Sequence, residues 1–191
     1  YVLDAADGEL ISATPFTNQN WTTGDFDENG RPVLVEEAVD LALYAVIPGP
    51  TGAHNWHPMA FNPDTGLVYI PVNEIPFFYD KTRNVDESKS FWNLGYDAAA
   101  GWPVEYPAGT LDAVADMDGG SLLAWDPVKA EPRWAVPFAL PLNGGVLSTD
   151  AGLVFQGNKF GDLVAYDAET GERLWSEQLV GNAAAAPMTY E

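Results

Sequence analysis

The chain has 191 residues, 47% of them hydrophobic, with 9 Phe, 7 Trp and 8 Tyr, which is enough for one globular domain with a real core and argues against disorder. Its 28 Asp and Glu against 8 Lys and Arg give a net charge of −20, which argues against binding nucleic acid or anionic lipid and suits the solubility or salt tolerance of an exported or halophilic protein. The absence of cysteine excludes a disulfide, a thiolate metal site, a catalytic thiol or a haem-attachment motif within these residues, and no run approaches the length of a membrane helix.

Residues 1–12, YVLDAADGELIS, read as two strands around a turn at Asp4–Gly8, the end of a repeating unit. Loop signals dominate 13–50. Within them Asp25, Asp27, Asn29, Gly30 and Glu36 match the spacing of a calcium-binding EF-hand loop. No helix pattern precedes that match and Pro32 falls inside it, so an acidic turn between strands is the favoured alternative. Residues 37–46 fit a short helix or a strand.

Residues 52–72 predict two strands, Met59–Phe61 and Leu67–Pro71, with a hairpin at Asn62–Gly66. Ahead of them stands His54-Asn55-Trp56-His57, a polar and aromatic cluster with no packing period. Its two histidines are candidate metal ligands, but hydrogen-bonded or solvent-facing imidazoles are the default reading. Residues 73–120 predict an insertion rich in aromatic segments; Asp112, Asp116 and Asp118 within it suit a turn better than a cation site. Residues 121–134 read as the end of a second unit, 144–177 as a complete four-stranded unit, and 181–191 as the start of another.

The complete unit sets the frame. Gly144–Ser148, Leu153–Gln156, Asp162–Asp167 and Glu172–Glu177 are short strands separated by turns, with no helix to cover the sheet they form. Asp167, Gly171 and Trp175 recur as Asp126, Ala130 and Trp134, 41 residues earlier, and as Asp4, Gly8 and Ser12. Asp4 and Asp126 are 122 residues apart, close to three such periods. A period near 40 ending in this Asp-turn-Gly-strand-Trp pattern predicts an all-β β-propeller with about four blades in these residues; a β-sandwich with chance hairpin similarity is the alternative. In a propeller the first strand of each blade lines the central channel, which puts Asn55 and Trp56 at its mouth. An amide that donates and accepts, beside a flat indole, suits a planar ligand with polar edges.

Four stretches carry a family resemblance: YVLDAADGELISATPF (1–16), HNWHPMAFNPDTGLVYIP (54–71), WNLGYD (92–97), and the segment from NGGVLSTDAGLVFQG to AAPMTYE (143–191). In wording and order they resemble the alcohol dehydrogenases that depend on pyrroloquinoline quinone (PQQ), especially the quinohaemoprotein type. The resemblance implies a piece of an eight-bladed propeller about three times as long, cut at both ends, with PQQ on its axis beside a calcium or lanthanide ion. It implies that Asn55 hydrogen-bonds the quinone edge and that Trp56 packs beside it. It places no catalytic residue and no metal ligand in this segment: the Asp base, the Glu and Asn metal ligands, the basic residue at the quinone oxygens and a haem c domain are expected elsewhere. Because PQQ is anionic and this segment is not basic, the metal and basic groups are expected from other parts of the chain. Leu142 stands where many relatives have Trp, which leaves channel packing and substrate preference open.

The resemblance further implies a periplasmic oxidoreductase that takes small primary alcohols and passes electrons to a cytochrome, with no nucleic-acid partner and no membrane span. Two alternatives stand beside it: a non-catalytic propeller scaffold that binds proteins, and a quinoprotein acting on another alcohol, an aldehyde or a polyol. Asn55-Trp56 is the feature that separates the scaffold from the enzyme.

Overall fold

The computed structural model describes residues 1–36, 42–80 and 118–190. Fourteen β-strands fall within them: β1 (Val2–Leu3), β2 (Leu10–Ser12), β3 (Thr22–Phe26), β4 (Pro32–Leu34), β5 (Ala42–Val46), β6 (Ala60–Asn62), β7 (Leu67–Asn73), β8 (Phe77–Asp80), β9 (Gly120–Asp126), β10 (Glu131–Phe138), β11 (Val146–Ser148), β12 (Leu153–Gly157), β13 (Asp162–Asp167) and β14 (Arg173–Gln178). All pairings are antiparallel.

The chain divides into two compact units. The first contains Tyr1–Thr17, Thr51–Glu74 and Asp118–Glu191, and the second Asn18–Pro50 and Ile75–Met117. In the first unit, β6, β7, β9 and β10 form one four-stranded sheet in the order β10-β9-β7-β6, and β11 to β14 form another in chain order. Each is a propeller blade. Phe16, four residues past the β1–β2 hairpin, packs on the opposite face of the first blade, against Ile70, Val72 and Leu123. Among the described residues between Asp4 and Asp126, one four-stranded blade is seen, β10-β9-β7-β6. That second unit holds two hairpin-like pairs, β3–β4 and β5–β8; residues 42–46 are thus a strand, and Phe77–Asp80 of the predicted insertion is its partner.

The interface between the two complete blades shows why the repeat has its spelling. Alternate residues of β7 and β9 (Leu67, Tyr69, Leu122, Ala124) meet Val146, Val154, Val164, Tyr166 and Ala168 in one buried cluster. In both blades the ladder carries a bulge one residue before the tryptophan, at Arg133 between β9 and β10 and at Leu174 between β13 and β14. A bulge bends the strand and re-aims the next side chain. Trp134 is thereby laid on the Asp167–Gly171 turn of the following blade. Its Nε1–H donates to the Ala168 carbonyl at 3.1 Å, and the Tyr69 hydroxyl donates to the same oxygen at 2.9 Å. Gly171 has φ +74, and a Cβ built there would sit 2.7 Å from the Trp134 ring. Asp167 builds that turn by accepting from the backbone N–H groups of Glu169 and Thr170 and from the Thr170 hydroxyl; these hydrogen bonds, the Thr170 hydroxyl foremost, hold its carboxyl below the ordinary carboxylate range.

Candidate functional site

The Thr51–Pro58 segment enters the first strand of its blade at the end opposite the Asp-Gly turns. Asn55 Nδ2 donates to the Thr51 carbonyl at 2.7 Å, and its Oδ1 accepts from Trp56 N–H at 2.8 Å. One amide hydrogen and one lone pair of Asn55 remain for a ligand. Trp56 is 69% exposed, yet one face of its indole is covered: the His57 ring stacks on it with centroids 4.0 Å apart and planes 25° from parallel. The result is a stiff aromatic shelf with an amide at its rim.

Buried polar groups hold that shelf. His54 Nδ1 is 3.1 Å from the Pro71 carbonyl, and Asn73 N–H donates to the Ala53 carbonyl at 2.7 Å. The Asn73 side chain is buried, and its Oδ1 accepts from Leu142 N–H at 2.8 Å. Leu142 has φ 58, a backbone position that L-residues with branched side chains rarely adopt. The following blade grips the same segment: Val146 N–H donates to the Pro58 carbonyl at 2.9 Å, and a Cβ at Gly145 would sit 2.5 Å from Pro58 Cδ. Only glycine permits this approach. Behind it, buried Asn143 donates from Nδ2 to the Leu140 carbonyl and accepts Lys159 N–H on Oδ1, while Gln156 Nε2 donates to the Gly144 carbonyl. Gln156 is 1% exposed and its Oε1 has no partner, the only buried side-chain polar atom so placed among the described residues. Asn73, Asn143 and Gln156 escaped the sequence reading. A lone Asn or Gln in a strand or beside glycines looks like ordinary turn chemistry until the blades are stacked.

His57 is 3% exposed, and its imidazole is held below the ordinary histidine range, first by burial and then by the nearby positive groups of His54 and Lys159. It is therefore a neutral ring backing the shelf.

The other flagged residues do not join this site. Asp25, Asp27 and Asn29 lie in and beside the β3–β4 hairpin. Asp27 Oδ1 accepts from Asn29 N–H and Arg31 N–H, and the Thr23 hydroxyl donates to Asp25 Oδ2. The EF-hand spacing thus falls on a β-hairpin instead of a helix–loop–helix. Asp112 and Asp116 lie outside the described residues. Among the described residues no three His, Cys, Asp or Glu side chains converge in a way that would hold a metal ion.

Comparison with known proteins gives a consistent picture. A family model described as outer membrane protein assembly factor BamB matches residues 83–191. The whole chain is 42% identical to quinohemoprotein alcohol dehydrogenase ADH-IIG of Pseudomonas putida and 41% identical to the quinohemoprotein alcohol dehydrogenase of Comamonas testosteroni, in each case covering 27% of that protein. The crystal structure of the Comamonas testosteroni enzyme superposes over 100% of this chain and 28% of its own, with a TM-score of 0.80 at 39% identity. A europium-containing methanol dehydrogenase superposes over 97% of the chain and 31% of its own, with a TM-score of 0.72 at 27% identity. Fold and comparisons together define a stretch of PQQ-repeat β-propeller. The chain belongs to the PQQ-repeat propeller family of that model, and over its whole length it is similar to part of the quinohaemoprotein alcohol dehydrogenases, spanning about a quarter of the length of the curated relatives it matches.

Proposed function

We propose that the protein to which this segment belongs oxidises primary alcohols with PQQ, and that the Asn55–Trp56 shelf is one wall of the cofactor site. The observation that carries this is the shelf itself: an exposed indole, backed by a neutral stacked ring, with a half-satisfied amide at its edge, in a chain aligned end to end with quinohaemoprotein alcohol dehydrogenases. The donor set fits a flat, polar-edged group. PQQ, when bound, supplies the two-electron acceptor for the alcohol's hydride. Trp56 covers one face of that group and keeps water from it, and Asn55 fixes its in-plane orientation through the free amide hydrogen and lone pair. His57, uncharged, supports the indole without placing a cation beneath it. A calcium or lanthanide ion, on the family resemblance, would be held by residues elsewhere in the protein. With no cysteine here, any haem c would also be attached elsewhere. Electron transfer to a cytochrome and a periplasmic location complete the reading. Among the described residues no helix is long and apolar enough to cross a membrane.

The test is Asn55→Ala in the full-length protein, reconstituted with PQQ and assayed by dye reduction with ethanol. Cofactor affinity or turnover should fall while the melting temperature stays within a degree or so. Unchanged affinity and unchanged turnover would remove Asn55 from the site.

A second reading, a protein-binding propeller without cofactor, is favoured by the description of the matching family model. That match covers 83–191 and so omits Asn55 and Trp56, whose exposure a scaffold has no need of. Failure of the full-length protein to bind PQQ would select this reading.

A further inference from the structure

Trp56 is oriented by one neighbour. It is 69% exposed, and its indole N–H has no hydrogen-bond partner among the described residues. The stack on His57, with centroids 4.0 Å apart and planes 25° from parallel, is therefore what fixes the ring. His57 is the fixed member of the pair. It is 3% exposed, and the residue after it is pinned by the following blade: the Pro58 carbonyl accepts from Val146 N–H at 2.9 Å, and a Cβ at Gly145 would sit 2.5 Å from Pro58 Cδ. The seam between blades thus places the imidazole, and the imidazole places the indole.

The same burial sets a condition on that imidazole. Neither ring nitrogen of His57 has a hydrogen-bond partner among the described residues. The charged groups that act on it are His54 on its own segment and Lys159 on the turn between β12 and β13, with no carboxylate among them. An uncharged ring is at home in such a place. A protonated one has a full charge and two donors, with no acceptor, no counter-charge and little water. The indole face offers that cation less than water does, so the charged ring leaves the stack for solvent. From this geometry we infer that His57 is a positioning residue for the planar ligand: its uncharged ring holds the Trp56 indole in place, and the shelf loses that hold when the ring takes up a proton. The inference rests on the proposed PQQ site and deepens it, because occupancy of that site then depends on one imidazole. By linkage, bound ligand opposes protonation of His57 as much as protonation opposes binding.

The experiment uses the full-length protein labelled with fluorotryptophan, with Trp56→Phe to assign the Trp56 fluorine resonance. In the apoprotein that resonance should shift on acidification from pH 8 to 5, with one midpoint below the ordinary histidine value of about 6.5. It should stay in place in His57→Phe, which keeps a flat ring that takes no proton; this readout needs no cofactor. PQQ affinity is then titrated across the same range. In the wild type it should be level above about pH 6.5 and, past the midpoint, fall by up to about tenfold per pH unit, the limit for one proton that excludes the ligand. His57→Phe should bind nearly as tightly as the wild type at pH 7.5 and should lack the acid loss. His57→Leu, with no ring to stack, should bind about two- to tenfold more weakly at pH 7.5. A wild-type Trp56 resonance that does not move, an acid loss that survives in His57→Phe, or an affinity that rises on acidification overturns the inference and leaves the cofactor site standing. If the wild-type protein does not bind PQQ, the cofactor reading fails and takes the inference with it.

Discussion

Two backbone positions carry the repeat's chemistry at single-residue scale. Ala130 occupies the place of Gly171 in the preceding blade and has φ 55. The left-handed region costs a side-chain-bearing residue about 1–2 kcal/mol, and glycine's extra freedom in the unfolded chain returns about 0.5–1 kcal/mol of that. Ala130→Gly should therefore stabilise the protein by up to about 1 kcal/mol in urea unfolding; a loss would mean that the turn relaxes differently. The reverse change, Gly171→Ala, meets both the φ penalty and the Trp134 ring at 2.7 Å, and should cost about 2–4 kcal/mol. His57 gives the pH counterpart. Its folded pKa is depressed chiefly by burial, so the unfolded chain takes up protons more readily. Its stabilising contribution is present above the unfolded value of about 6.5 and is lost as pH falls through the folded value. Acidification also relieves repulsion among 28 carboxylates, which acts in the opposite direction. The difference in melting temperature between wild type and His57→Gln, measured from pH 7.5 to 5, isolates the imidazole: the wild type should lose ground relative to the variant on acidification.

At the scale of the element, one blade junction is locked and another is not. Trp134 on Gly171 seals the two complete blades. The junction between the β1–β2 hairpin and the first blade has Ser12 where Trp134 stands and Ala130 where Gly171 stands. Phe16 keeps the place of Phe138. A cavity of ≈ 240 Å³ opens there, lined by Ser12, Phe16, Trp125, Pro127 and Ala130 among others. The two departures are complementary: without an indole to seat, the turn has no need of glycine. Ser12→Trp alone should gain little, since the Ala130 Cβ occupies the ring's place. Combined with Ala130→Gly it should stabilise by about 1–2 kcal/mol beyond the sum of the single changes, a coupling within the range for residues in contact. Additive single and double variants would show that the cavity, not the missing lock, governs this seam. The same spelling made the fold legible. Alternation, turn glycines and the Asp/Trp spacing marked the strands of 144–177, because each blade repeats one solution to one packing problem. The 122-residue spacing from Asp4 to Asp126 is less telling, because Asn18–Pro50, which falls in the second compact unit, forms the pair β3–β4 and strand β5 and no four-stranded blade among the described residues.

At the scale of the molecule, the exposed half of the proposed site was visible in the sequence and the groups that support it were not. Asn55 and Trp56 stood out because a polar-aromatic cluster ahead of a strand has no packing period. Asn73 meets its partner Leu142 only through the stacking of blades, and Asn143 and Gln156 hold their own blade's glycine lead-in, neither of which a local pattern encodes. The charge, by contrast, is a property of the whole chain. With net charge −20 spread along the sequence, the compact state brings carboxylates together that the unfolded chain keeps apart, and this self-repulsion opposes folding. The ion pairs at Lys129, with Asp126 at 3.6 Å and Glu131 at 4.0 Å, are exposed and do little to offset it. Added salt shortens the screening length from about 30 Å at 0.01 M to about 10 Å at 0.1 M, which is less than the span of a blade. Stability should therefore rise with NaCl between 10 and 300 mM, by about 2–4 °C in melting temperature for each kcal/mol of repulsion removed. Potassium sulfate and NaCl at matched ionic strength below 100 mM should act alike, since screening depends on ionic strength and not on the anion. A melting temperature that falls with NaCl would show that attractive pairs outweigh the repulsion, and that the acidic surface is organised rather than merely abundant.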